Sequence, residues 1–356
     1  MKEAQRAERR RFVLESIDHR EPARIPYMIL CQATIGEALA RYYGASDLDD
    51  ALRNDINWIG DQLPLDTLQA RGLLTAGEYT DPWGVRWHGV GITRGQVKSP
   101  PLARPSLRES RIPERLQADV IAHMRSSALE SQDQYRVGKL GALWEQATFL
   151  RGMEQLLLDL ICHPEFVHEL LEEITGYLLR TMESLKQEVS LDCLWLSDDY
   201  GSQQRLLMSP AMWRRFIEPR LRAICDRAHA LGFRFALHSD GAISEILPDL
   251  VDIGIDLLHP LQPECVDTAW VKREFGASIT IWGGFGSQRT LAFGTPRQVV
   301  EEVNAACEDF GAGGGFILTP GLALMNEVPL PNAVALIEAV QRHRRGTHGG
   351  TPPAEE

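Results

Sequence analysis

The sequence predicts an α/β fold, a (β/α)8 TIM-type barrel, from three observations. From about residue 165 onward, short apolar runs alternate with helix-periodic segments, the rhythm of βαβ units around a parallel sheet. These runs outnumber what one half of a doubly wound sheet needs. None is followed by the GxGxxG turn that such a sheet uses to hold a dinucleotide. The chain has 356 residues, inside the ~200 to over 400 that such barrels occupy.

Each element has its own signal. Residues 3–18 read as a helical extension ahead of the barrel, and IPYMIL (25–30) as the first barrel strand. From Asp47 to Arg115 the chain is rich in Trp, Gly, Pro and Asp (DPWGVRWHGVG), which predicts hairpins or a lid inserted between barrel elements. Phe166, Leu170, Ile174, Leu178, Met182 and Leu185 recur at helical spacing. DCLWLSDD follows as a strand ending in two acids. Ser209-Pro210 then opens a helix of about 210–231 that Gly232 closes. FRFALH is the next strand; behind it Ile243, Ile246, Leu247, Leu250 and Val251 mark a helix. IDLLHP, a short helix, SITIWGG, a helix over 296–311, GFILTP and a last helix complete the alternation. With no repeat and no linker, residues 1–345 read as one domain, and GTHGGTPPAEE (346–356) as a disordered tail.

Charge and composition remove whole classes of function. A net charge of −12 argues against nucleic acid and anionic membrane surfaces, either of which needs a positive field. No apolar run reaches the ~18 residues of a membrane span. The opening MKEAQRAERRRF lacks the apolar core of a signal peptide. The six cysteines are scattered, with no CxxC, which fits reduced thiols and a cytoplasmic location. A small molecule is the expected partner.

In a (β/α)8 barrel the active site lies at the C-terminal ends of the strands. Those ends carry Asp198-Asp199 with Gln203 just beyond, then His238 and Asp240, then His259 with Glu264, then Trp282-Gly283-Gly284 with Phe285. Strand side chains repeat every second residue, so His238 and Asp240 can face one site. Asp240 also fits an N-cap of the following helix, and a lone histidine is more often structural than catalytic. Two histidines on adjacent strand ends weigh against the structural reading of His238. Trp195, Trp282, Gly283 and Phe285, with Gln203, are candidate substrate contacts, although core packing is the commoner fate of such aromatic residues. GGFGSQ reads as a Gly-rich barrel loop rather than as an anion cradle.

The series LRGMEQLLLDL, SDDYGSQQ with SPAMW, HSDGAISEILPDLVDIGIDLLHPLQPE and GGGFILTP with VPLPN resembles the uroporphyrinogen decarboxylase superfamily. The resemblance covers most of the chain from about residue 140. It implies a (β/α)8 barrel with its site at the mouth. It also implies either a cofactor-free decarboxylase or a zinc-dependent methyltransferase working with corrinoid proteins or thiols. The decarboxylases place an Arg-rich segment after the first strand; here MILCQATIGEAL carries no arginine between Arg24 and Arg41. The thiol methyltransferases carry a His-x-Cys pair and a later Cys in a PGC-like turn. Here those places read His238-Ser239-Asp240 and Pro320-Gly321-Leu322. The chain departs from both branches at their defining residues.

Replacing thiolate by carboxylate gives a harder, more Lewis-acidic metal site that prefers oxygen. The resulting expectation is a corrinoid-dependent methyltransferase that demethylates a small O-methyl donor such as a methoxy-aromatic compound. Its zinc would be held by His238 and Asp240, with His259 or Glu264 as third ligand. Asp198 or Asp199 would act as general acid toward the leaving oxygen, with His238 also catalytic. Cobalamin would be carried by a partner protein. Two alternatives stand beside this one: a cofactor-free decarboxylase of a porphyrinogen-like or smaller carboxylated substrate, and a barrel that binds a ligand or a corrinoid without turnover.

Overall fold

The computed structural model describes residues 2–46, 48–60, 77–90, 93–321 and 323–343. Among them are ten strands: β1 (Ile56–Ile59), β2 (Glu78–Thr80), β3 (Arg86–Val90), β4 (Thr93–Ser99), β5 (Tyr135–Gly141), β6 (Cys193–Ser197), β7 (Arg234–His238), β8 (Leu257–His259), β9 (Thr280–Phe285) and β10 (Phe316–Pro320). The chain forms two compact units: Trp58–Gln132 with Arg136–Asp256, and Met1–Asn57 with Asp133–Tyr135 and Leu257–Glu356. The expected tail, residues 346–356, lies outside the described residues.

The unit built from Trp58–Gln132 and Arg136–Asp256 carries β5, β6 and β7 side by side and parallel. Their register sets Lys139 opposite Trp195, and Ser197 opposite His238. Cys193, Leu194, Trp195 and Leu196 are all buried, the near-continuous apolar run of a strand covered on both faces. The long helix runs over Pro164–Glu188 and buries Phe166, Leu170, Ile174, Leu178, Met182 and Leu185, the stripe that the sequence marks. Where one helix is expected over 210–231 there are two, Pro210–Phe216 and Glu218–Ala230. Pro219 explains the break: it has no N–H to donate, and its ring crowds the carbonyl four residues earlier.

Within the Trp- and Gly-rich stretch, of which residues 47, 61–76 and 91–92 lie outside the described residues, β2, β3 and β4 form an antiparallel sheet. Asp81 ties its turn, accepting from the Trp83 and Val85 amides at 2.9 Å and from Trp87 Nε1 at 2.8 Å. Trp87 packs edge-on against Phe149, and Trp83 against Tyr177, at centroid distances of 5.0 and 4.7 Å. The aromatic residues of this insertion therefore anchor it to helices of its own unit.

The other unit carries β8, β9 and β10, also parallel. Helices Thr268–Phe275 and Pro296–Gly311 lie between these strands in the chain, and Leu330–Arg342 follows β10. Thr295 and Gln298 close a reciprocal capping box at the start of the 296–311 helix, whose bounds match the expectation. Among the described residues IPYMIL forms no ladder: Tyr27 makes an isolated bridge to Leu318, and Cys31 just after it makes another to Leu324. Pro26 has no amide to give to a ladder, although its carbonyl accepts from Leu318 N at 2.9 Å. Asp55, fully buried, fixes this segment by accepting from both Arg24 guanidinium nitrogens at 2.6 and 2.8 Å and from Tyr27 N at 2.9 Å.

Candidate metal centre

Two chain reversals build the site, one after β6 and one after β7. Gly241 takes φ +83°, and a Cβ there would lie 2.5 Å from Ser202 O; a Cβ on Gly201 would lie 2.8 Å from Ala242 N. The missing side chains let the two loops touch backbone to backbone, and Ala242 N donates to Ser202 O at 2.8 Å. That contact brings the acid preceding each glycine to the same place. Asp240 N donates to Asp199 Oδ1 at 2.8 Å, and Tyr200 N donates to Ser239 Oγ at 3.0 Å.

Among the described residues, one group of three potential metal ligands has its donor atoms within 4.8 Å of one another: Asp199, His238 and Asp240. His238 Nε2 lies 3.5 Å from Asp199 Oδ1 and 3.8 Å from Asp240 Oδ2. Burial lowers the affinity of His238 for a proton and Lys139 adds to the effect, while Asp199 opposes it. Burial, with Asp199 adding to it, pushes the Asp240 carboxyl up to about 7. Asp240 Oδ1 is buried without a hydrogen-bond partner. A buried acceptor left bare costs about 1–3 kcal/mol, and a cation would satisfy it. Two carboxylates and a neutral imidazole suit zinc.

The paired acids of SDDYG divide sharply. Asp198 is fully buried and accepts four hydrogen bonds: from the amides of Leu143, Trp144 and Glu145 at 3.0, 3.0 and 2.9 Å, and from Tyr200 Oη at 2.9 Å. It thereby sits at the N-terminus of the helix Trp144–Arg151 and fastens that helix to the end of β6. Burial raises its carboxyl to about 7, opposed by those same four bonds. Asp199, one residue on, turns to His238 instead. The general-acid role expected of either acid thus meets one carboxylate committed to backbone amides and one in the ligand group.

The remaining expected site residues have other surroundings. Gln203 is exposed on the loop after β6. His259 is buried, its ring edge-on to Trp282 at 5.0 Å, and Glu264 accepts from Gln288 N at 3.4 Å. Both belong to the unit that does not hold Asp199, His238 and Asp240. Trp282 and Phe285 are fully buried in β9. Gly283 has a backbone reason: a Cβ there would stand 1.7 Å from Pro260 O. Leu322, where the resemblance leads one to look for a cysteine, lies outside the described residues. Glu145, Tyr200, Ser239 and Lys139 border the site without a local sequence signal of their own. The only signal for the site's assembly was the pairing of an acid with a nearby glycine in DYG (199–201) and DG (240–241).

The model of the family described as Uroporphyrinogen decarboxylase (URO-D) matches residues 96–343. The chain is 29% identical over 152 residues to the methylcobamide:CoM methyltransferase MtaA of Methanosarcina barkeri, covering 43% of this chain and 42% of that protein. It therefore spans less than half the length of that relative. It is 20% identical over 278 residues to the uroporphyrinogen decarboxylase of Mannheimia succiniciproducens, covering 73% and 76% of the two chains. Among solved structures, a methyltransferase from Methanosarcina mazei superposes with a TM-score of 0.66 at 20% identity, over 94% of this chain and 98% of that one. That likeness shows the fold, the α/β class of the TIM barrel that the sequence predicts. The family match spans well over half of the residues, and the chain belongs to the uroporphyrinogen decarboxylase (URO-D) family.

Proposed function

We propose that this protein is a methyltransferase that passes a methyl group from a small O-methyl donor, such as a methoxy-aromatic compound, to a corrinoid carried by a partner protein. The observation that carries the reading is the triad of Asp199, His238 and Asp240 with the bare, buried Asp240 Oδ1. The similarity to a methylcobamide-dependent methyltransferase supports the same reaction class. Asp199, His238 and Asp240 would hold zinc, and the metal would supply a Lewis acid toward the ether oxygen.

The chain's own residues prepare that site. Burial and Lys139 lower the affinity of His238 for a proton, which favours the neutral imidazole that a metal needs as a ligand. The amide of Asp240 orients the Asp199 carboxylate. Asp198 serves as a positioning residue, holding β6 and the helix Trp144–Arg151 in register behind the ligands. Asp240 in place of a thiolate biases the site toward oxygen donors rather than thiols.

Purified protein mixed with cob(I)alamin and a panel of methoxylated donors tests the reading through the absorbance change on methylcobalamin formation. The expected result is donor-dependent transfer that stops on chelation and returns with zinc. Undiminished transfer after chelation overturns the metal's role. The longer alignment to decarboxylases favours one second reading, a cofactor-free decarboxylase. Release of carbon dioxide from a carboxylated substrate by metal-free protein, with no methyl transfer, would establish it.

A further inference from the structure

The loops after β6 and β7, which build the metal site, also border a cavity that its chemistry does not use. The cavity measures about 360 Å³ and is lined by residues 205–210 and by Glu245, all within one compact unit. On the first loop Gly201 bridges antiparallel to Leu206, and Leu207 N donates to Tyr200 O at 2.8 Å. Arg205 is fastened there by its backbone. Its carbonyl accepts from Ser202 N at 2.7 Å and from Ser202 Oγ at 2.8 Å, and its amide donates to Ser202 Oγ at 3.2 Å. The main chain is thus fixed, while the exposed guanidinium has no ion pair or hydrogen bond among the described residues.

Glu245 stands on the single turn Ser244–Ile246 after β7. Ile243 and Ile246 are buried and anchor that turn, while Glu245 is exposed and likewise makes no ion pair or hydrogen bond among the described residues. Arg214, a cation whose field reaches Glu245, is itself held by both carboxylate oxygens of Asp249 at 2.9 Å. The rest of the lining is largely apolar: Leu206 and Met208 are buried, and Leu207 and Pro210 half-buried. Ser209 Oγ is taken by the amide of Met212 at 3.3 Å.

Two opposite charges that line one cavity without pairing select among ligands. A simple anion that reaches Arg205 also meets Glu245, and a simple cation at Glu245 also meets Arg205, so each suffers one like-charge contact. A ligand carrying both charges satisfies both side chains with charge-assisted hydrogen bonds, and an apolar body covers Leu206 and Met208. The volume is near the lower end of the ~300–1,000 Å³ of ligand pockets, which suits a molecule of amino-acid size.

We propose that this cavity is a binding site for a small dipolar ion, an α-amino acid with an apolar side chain whose carboxylate pairs with Arg205 and whose ammonium pairs with Glu245. The site does not depend on the methyl-transfer reading and is tested by binding alone.

The probes are leucine, leucinamide and 4-methylpentanoate, which share one side chain and carry both charges, the cation only and the anion only. They are titrated at pH 7 into chelator-treated full-length protein, so that coordination of leucine to a metal plays no part, and binding is followed by ligand-observed NMR. Each exposed charged contact is worth about a factor of three to five, so leucine is expected to bind more tightly than either analogue by about that factor. Arg205→Gln brings leucine and leucinamide to within about twofold and keeps the preference over 4-methylpentanoate; Glu245→Gln does the reverse. Both side chains are exposed, and the unfolding midpoints of the variants should match wild type. Leucine binding no tighter than the analogues, or no binding of any probe, overturns the proposal. So do variants that keep both preferences.

Discussion

Replacing Asp198 and Asp199 singly by alanine separates the structural acid from the ligand acid. In Asp198→Ala, three backbone amides and the Tyr200 hydroxyl lose an acceptor at 2.9–3.0 Å in a fully buried place. An unpaired buried donor costs about 1–3 kcal/mol, and water entering the vacated space recovers part of that. At the low end of about 1 kcal/mol for each donor, the loss comes to roughly 3–4 kcal/mol. Asp199 is about one-third exposed, and its carboxylate accepts from Asp240 N at 2.8 Å. Its removal costs about 1 kcal/mol or less, but it takes a donor from the metal group. Urea unfolding of chelator-treated protein reads the first effect: with a slope near 3 kcal/mol per molar, the Asp198→Ala midpoint falls by roughly 1 M. Zinc titration reads the second, with Asp199→Ala losing affinity and keeping its midpoint. Equal midpoint shifts in the two variants would refute the division of labour between these neighbours.

Gly241→Ala places a Cβ 2.5 Å from Ser202 O at a φ of +83°. It is expected to weaken zinc binding although no ligand changes, and wild-type affinity in this variant would show that the loop contact does not assemble the site. Zinc affinity should also depend on pH, with a sign fixed by Asp240. Its carboxyl titrates at about 7 because of burial and Asp199, and the metal binds the deprotonated form. Affinity is therefore full above that pH and falls about tenfold per unit below it; isothermal titrations between pH 5.5 and 8.5 that give a flat profile would contradict this. Asp240→Cys restores a His-x-Cys pattern and is expected to tighten zinc while slowing transfer from oxygen donors, since thiolates make a softer site. Weaker zinc binding in that variant would show that position 240 does not reach the metal.

Much of this was legible in sequence because periodicity reports burial. The stripe of Phe166 to Leu185, the helix over 296–311 and the apolar runs of β6 to β10 all became the elements they predict. β5 escaped because YRVGKLG mixes charge and glycine into a strand. Its Gly138 and Gly141 read as turn residues, yet at Gly138 an added Cβ would stand 2.4 Å from Leu191, so the glycine serves close packing. Asp198 and Asp199 look equivalent in one dimension. Alternation splits them, but only the fold shows that the inward acid meets the N-terminus of a helix some fifty residues earlier in the chain.

The central claim is that Asp199, His238 and Asp240 hold a metal, and elemental analysis tests it most directly. Wild-type protein purified without chelator and dialysed against zinc should retain about one metal ion per chain. The triple variant Asp199→Ala, His238→Ala, Asp240→Ala, checked for an unchanged far-ultraviolet circular dichroism spectrum, should retain none. Metal-free wild-type protein, or equal metal in the folded variant, would contradict the account.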